Sequence, residues 1–172
     1  MELFAERGFE NATAAEIAKR AGLTERTFFR HFGDKREVLF ANEDAMQERL
    51  VSAVTSAPDA LAALDAVAAG LAAVGAQLQP RREFLRRRAA IIATHPALQE
   101  RELIKLASTA TALADALRQR DVPATAATLA AEVSIAVLRV AFERWIDEAE
   151  VKELPQLIHE ALDLLQDFAA RG

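Results

Sequence analysis

Thr13-Ala14-Ala15-Glu16-Ile17-Ala18-Lys19-Arg20-Ala21-Gly22-Leu23-Thr24-Glu25-Arg26-Thr27-Phe28-Phe29-Arg30-His31-Phe32 reads as two short helices joined by a tight turn, a helix-turn-helix. Thr13 with Glu16 three residues on is a capping-box pattern, in which hydroxyl and carboxylate each satisfy a backbone N–H that a helix start leaves orphaned. Gly22 stops the first helix, because glycine takes the left-handed conformation needed just past a helix C-terminus. Thr24 is a second cap, so the second helix begins at Glu25. Leu23 before that cap and Phe28 at the fourth helical position have the spacing of a hydrophobic staple. Ile17, Ala18, Ala21, Leu23, Phe28 and Phe32 are the expected small core.

Outside that core the second helix presents Glu25, Arg26, Thr27, Phe29 and Arg30. Arg26 and Arg30 lie four apart on one face, where like charges repel by a few tenths of a kcal/mol, roughly. An anion between them reverses that penalty. Arginine bridges guanine O6 and N7, and threonine meets phosphate or a thymine methyl, so this face suits a DNA duplex. The alternative is an amphipathic helix whose charges simply face water.

Phe4-Ala5-Glu6-Arg7-Gly8-Phe9, then Thr13 to Gly22, then Thr27-Phe28-Phe29-Arg30-His31-Phe32 and Lys35 resemble the N-terminal signature of TetR-family transcriptional regulators. The resemblance implies a DNA-binding domain over 1–45 whose second motif helix enters the major groove of an operator. It places Arg26, Thr27 and Arg30 against bases or nearby backbone, and Thr13, Phe29, His31 and Lys35 against phosphate or sugar. The cap Thr24 and its neighbour Glu25 complete the expected DNA-facing set. Lys35 follows Asp34, which with Glu37 makes another capping pattern, so Lys35 is expected in the first turn of a long helix beginning there. Two departures stand out. Phe29 replaces the tyrosine common in the family, which removes a hydroxyl contact to phosphate. The chain also opens at Met1-Glu2-Leu3-Phe4, inside what is usually the first helix; either the start is missing or fewer backbone contacts are made.

Composition points to an all-α protein: 52% of the 172 residues are hydrophobic but only 6% aromatic, and much of the total is alanine, the strongest helix former. Charges are expected to interrupt every apolar stretch, and no signal-peptide pattern is seen, so a soluble, cytoplasmic protein with no membrane partner is expected. The absence of cysteine excludes disulfides, thiol catalysis and cysteine-ligated metals. His31, His95 and His159 have no ligand spacing, so no metal site and no cofactor is expected. Without a Gly-rich phosphate loop or a nucleophile elbow, an enzyme is not expected either. The net charge is −5, yet residues 1–40 balance seven Lys/Arg against seven Asp/Glu, so the whole deficit lies beyond the motif. An acidic body repels DNA and leaves contact to the motif.

Pro58, Pro80, Pro96, Pro123 and Pro155 divide the remainder into expected helices at 34–55, 59–77, 81–94, 96–120, 124–149 and 152–170. With three in the motif that makes about nine. The first of the six is the expected connector to a second domain, 46–172, for effector binding and dimerisation. Leu154, Leu157, Ile158, Ala161, Leu162, Leu165 and Phe168 form one stripe, broadened by Leu164. Leu129, Val133, Val137 and Val140 line one side of the preceding helix, with Ile135, Leu138, Phe142, Trp145 and Ile146 around much of the rest. Two such helices are expected to pack against the same pair of a second copy, as TetR-family members do; a thick intramolecular core is the other solution. Twofold symmetry then presents two motif helices about 34–36 Å apart to a pseudo-palindromic operator.

In Arg81-Arg82-Glu83-Phe84-Leu85-Arg86-Arg87-Arg88, helical spacing puts Arg88 and His95 within an apolar stripe with Phe84 and Ile91. A buried arginine needs a partner. Either it finds an internal carboxylate such as Glu132 or Glu143, or it binds an acidic ligand. The second case describes a pocket of Phe84, Arg88, Ile92, His95, Leu138, Phe142 and Trp145 for a small apolar or amphipathic effector. Arg86 to Leu117, centred on Thr94-His95-Pro96-Ala97-Leu98, also resembles the C-terminal domain of actinobacterial TetR members near the mycofactocin regulator. Together these features describe a homodimeric repressor released from DNA by a small molecule. The rival is a helical ligand-binding module with impaired DNA binding.

Overall fold

The computed structural model describes residues 2–147 and 152–171, all of whose regular structure is helical. Met1 and the last two residues of the helix expected over 124–149 lie outside the described residues. In chain order the helices are α1 (Glu2–Arg7), α2 (Ala14–Arg20), α3 (Glu25–His31), α4 (Glu37–Phe40), α5 (Glu43–Thr55), α6 (Ala63–Leu78), α7 (Arg82–Ala93), α8 (Pro96–Arg118), α9 (Ala124–Asp147) and α10 (Leu154–Arg171), with a 3-10 turn at Gln79–Arg81. The chain forms two compact units: Met1–Glu43 with Glu83–Leu103, and Asp44–Arg82 with Ile104–Gly172.

The first unit is built on Leu3, Phe4, Phe9, Ala12, Leu39, Phe40, Ile92 and Leu98. This core is larger than the one expected within the motif. Of that expected set Ala18 and Phe28 are buried and Ile17 and Phe32 half-buried, but Ala21 and Leu23 are exposed, so Leu23 is no core residue. The expected long helix from Asp34 is broken as well. The Asp34 carboxylate does accept the N–H groups of Arg36 and Glu37, at 2.7 and 3.3 Å, but helix begins only at Glu37 and stops at Phe40. A continuous helix would hand the Leu39 carbonyl to the N–H of Glu43. Here Arg88 Nε takes that carbonyl at 2.7 Å, and the chain turns through Ala41-Asn42 before α5.

In the second unit α10 packs on α6 and α9. Gly75 allows the approach, since a Cβ there would lie 2.9 Å from Ile158 Cδ1 and 3.2 Å from the Pro155 nitrogen. Buried Leu154, Leu157, Ile158 and Ala161 supply the α10 side of the contact. The helix expected at 59–77 begins at Ala63 instead. The guanidinium of Arg120 accounts for the extra loop: Nη1 donates to the carbonyls of Val54 and Ala57, and Nη2 to those of Pro58 and Leu61. The Val54 carbonyl belongs to the last turn of α5, and those of Ala57, Pro58 and Leu61 line the loop that follows. α9 is long and apolar enough to cross a bilayer by length and composition, although Glu132 and Arg139 interrupt it as expected. Within the fold one side of α9, including Ala127, Ala131, Leu138, Ala141 and Trp145, is buried as core.

Candidate nucleic-acid interface

The motif is positioned by its own backbone hydrogen bonds. Thr13 Oγ1 accepts from the Glu16 N–H at 3.2 Å, and Glu16 Oε2 accepts from the Thr13 N–H at 3.0 Å, closing the capping box. Those bonds from Thr13, with the Arg7 guanidinium beside it, hold the Glu16 carboxyl below its ordinary value of 4.5. At the other end of α2, Leu23 N–H donates to Ala18 O at 2.9 Å and Gly22 N–H to Lys19 O at 3.1 Å. This is a Schellman stop, and Gly22 supplies its positive φ of 70°. Thr24 then caps α3 through the Thr27 N–H at 3.1 Å, and the Thr24 and Thr27 hydroxyls lie 2.9 Å apart.

Phe28 anchors α3 inward, with Phe32 at 5.1 Å between ring centroids. Outward the helix leaves Glu25, Arg26, Arg30 and His31 exposed, Thr27 half-buried, and Phe29 48% exposed with its edge against Phe28. The structure thus brings Thr24, Glu25, Arg26, Thr27, Phe29, Arg30 and His31 onto one seven-residue helix and its cap. Thr13 sits at the start of α2.

Pairing of charge separates this face from the rest of its unit. Arg7 pairs with Glu16, Arg20 with Glu6 through two bonds of 2.7 and 2.9 Å, Arg36 with Asp34, Arg101 with Glu37, and both Arg86 and Arg87 with Glu83. Among the described lysines and arginines of this unit, those with neither a carboxylate nor a carbonyl partner for the side chain are Lys19, Arg26 and Arg30. Lys19, exposed on α2, was not singled out in the sequence. Its residue type carries no signal; only the pairing of its neighbours does. Lys35 differs from the expectation. It lies before α4 rather than in a helical first turn, its Nζ donates to the carbonyls of Phe9 and Glu10 at 2.8 and 2.9 Å, and it stands 4.6 Å over the Phe9 ring. One of its three donors is left for phosphate.

The residues expected to line an effector pocket fall into two groups. In the first unit Arg88, 6% exposed, engages all three of its nitrogens: Nε on Leu39 O, Nη1 on Glu102 at 2.8 Å, and Nη2 on Glu43. Phe40 lies beneath its guanidinium at 4.9 Å. The partner is an internal carboxylate, but not Glu132 or Glu143. Those two are exposed on α9, whereas Glu43 and Glu102 open α5 and continue α8. Ile92 belongs to the core, and His95 meets the Phe9 ring edge-on at 5.0 Å with Nδ1 2.8 Å from Ile91 O. Phe84 lines a cleft of about 620 Å³ together with Leu3, Phe4, Ile17 and Val38. In the second unit Leu138 and Trp145 are buried and half-buried Phe142 stands 5.8 Å from the Trp145 ring. Arg82 Nε donates to the Trp145 carbonyl at 2.8 Å. Neither unit gathers all seven residues. Among the described residues no cluster of histidine, aspartate and glutamate could hold a metal ion.

The second unit exposes a different kind of surface. Leu129 and Val140 on α9 and Leu164, Leu165 and Phe168 on α10 are uncovered, Phe168 to 82%.

Comparison with known proteins agrees with both units. Residues 1–41 match the profile of bacterial regulatory proteins of the tetR family, and residues 44–170 that of the MftR C-terminal domain. The HTH-type transcriptional regulator TcmR of Streptomyces glaucescens is 35% identical over 74 residues, 43% of this chain and 33% of that protein, so the match spans a third of that relative. The SmeT–triclosan complex shares the fold at a TM-score of 0.67, with 24% identity over 95% of this chain and 84% of the other. Thermus thermophilus FadR, a TetR-family repressor in complex with lauroyl-CoA, does so at 0.60, with 19% identity over 96% and 89%. With the motif matched at one end and more than half the chain matched at the other, the protein is a transcriptional regulator of the TetR family.

Proposed function

We propose that this protein is a homodimeric repressor that binds a pseudo-palindromic operator through α3 and is released by a small apolar or amphipathic molecule. The observation that carries the reading is the outward face of α3, where Arg26 and Arg30 stand without carboxylate partners while Arg7, Arg20 and Arg36 of the same unit are paired. Arg26, Thr27, Arg30 and Glu25 are assigned to base edges or nearby backbone. Thr13, Thr24, Phe29, His31 and the remaining donor of Lys35 are assigned to phosphate and sugar. The uncovered apolar residues of α9 and α10 supply the contact to a second copy, which sets two α3 helices about one duplex turn apart.

For the effector, Leu138, Phe142 and Trp145 in the second unit are the proposed lining. Arg88, Ile92 and His95 drop out, being committed to internal contacts; Phe84 stays with the first unit. Triclosan in the SmeT complex is largely apolar and lauroyl-CoA in the FadR complex is amphipathic, an acyl chain on a charged coenzyme, which supports an apolar or amphipathic ligand here. A hundredfold fall in operator occupancy needs a ligand preference of only about 2.7 kcal/mol between the DNA-binding and released states.

The test is fluorescence anisotropy on the DNA flanking the protein's own gene, against a scrambled duplex of equal length, at two salt concentrations. Binding should be selective and weakened by salt. Arg26→Ala or Arg30→Ala should weaken selective binding by about 1–3 kcal/mol. Unchanged affinity in both variants would remove α3 from the interface, and equal weak binding of the two duplexes would leave a ligand-binding module instead.

A further inference from the structure

Glu25 is a carboxylate without a partner on a face that has to meet a polyanion. It is the first residue of α3, exposed, and among the described residues its carboxylate makes no hydrogen bond or ion pair, although Arg26 is its neighbour. The acids around it are treated differently: Glu6 is neutralised by Arg20, Glu16 by Thr13 and Arg7, and Asp34 by Arg36. An unpaired carboxylate there opposes sequence-independent binding, because phosphates repel it wherever the protein lands. It helps only against a base that offers a donor. In the major groove the donor matched to a carboxylate is the N4 amino group of cytosine. Helix-turn-helix proteins present the first residues of the second helix to base edges, which is where Glu25 stands.

We propose that Glu25 is a specificity-determining residue: it reads one cytosine in each half-site and lowers affinity for all other DNA. The inference rests on the reading of α3 as the DNA-facing helix. The two are separable, since Arg26 and Arg30 report on the face and Glu25 on discrimination.

The experiment is selection of bound sequences from a randomised duplex pool by the wild-type protein, Glu25→Gln and Glu25→Asp, followed by anisotropy on the selected and a scrambled duplex. Glutamine keeps the shape, loses the charge, and pairs best with adenine N6 and N7. Glu25→Gln should therefore bind the scrambled duplex severalfold tighter at low salt, with the gain vanishing at high salt. At one position per half-site its preference should move from cytosine to adenine, with the selected-to-scrambled ratio falling by about tenfold or more. Glu25→Asp should keep the weak scrambled binding, because the charge remains, and lose the cytosine preference, because the reach does not. A ratio unchanged in Glu25→Gln, or a shift of both duplexes by the same factor, would overturn the assignment while leaving the regulator reading intact. A wild-type protein that selects no sequence would overturn both.

Discussion

The two units leave different things unsatisfied. The first ties most of its charges into a cap, an ion pair or a carbonyl, and the short helix α3 keeps two bare arginines and one bare glutamate. The second is closed by aliphatic packing of α10 on α6 and α9, and beside exposed charges such as Arg49 and Arg139 it leaves an apolar surface open on those helices: Leu129, Val140, Leu164, Leu165 and Phe168. Charge left over calls for a polyanion, and apolar area left over calls for another apolar surface. A folded domain covers what it can with its own atoms, so the remainder describes what it was shaped to meet.

The contrast breaks most visibly if the apolar remainder is charged. Leu164→Glu combined with Phe168→Glu puts like charges into the proposed twofold contact and should raise the dimer dissociation constant by on the order of a thousandfold, about 4 kcal/mol. Sedimentation velocity reads this directly. A dimer of undiminished stability would move the contact away from α10. Next in size is the buried cation. Arg88→Met leaves Glu43 and Glu102 facing a thioether and the Leu39 carbonyl without its donor, and should cost about 3 kcal/mol in urea unfolding. A loss below 1 kcal/mol, roughly, would make the network a surface pair rather than a structural one.

The smallest effect concerns the capping box. Thr13→Ala should cost about 1 kcal/mol. Because the folded Glu16 carboxyl titrates below its ordinary 4.5, its contribution is fully present above that pH and disappears as pH falls through the lowered folded value. Glu16→Gln should flatten that acid limb of the stability curve. An identical acid limb in the variant would show that other carboxylates, such as Asp34 with its arginine, set it.

Local signals were legible where the chain solves a problem within a few residues. Thr13, Gly22 and Thr24 set the motif's boundaries, and each does its work through backbone atoms no more than five positions away. The same holds for Pro96 and Pro123 at helix starts. Long-range choices were not legible. That Leu39 lends its carbonyl to Arg88, and so breaks a helix that the Asp34–Glu37 capping pattern begins in sequence, depends on a side chain 49 positions on. The same distance problem chose Glu43 and Glu102 over Glu132 and Glu143, since any carboxylate satisfies a buried guanidinium on paper. At the candidate DNA face, the residue types of α3 were readable, but the isolation of Lys19, Arg26, Arg30 and Glu25 was not. Isolation is a property of neighbours, and pairings such as Arg20 with Glu6 have no pattern in the chain.

Trp145 is the chain's sole tryptophan, and it is fully buried in the second unit. Its ultraviolet emission is therefore a voice from one unit alone, while helical circular dichroism sums the signal of both. During thermal melting the two signals need not coincide, and any gap between them measures how far the motif-bearing unit loosens before or after its companion. The protein thus carries its own reporter for the independence of its halves.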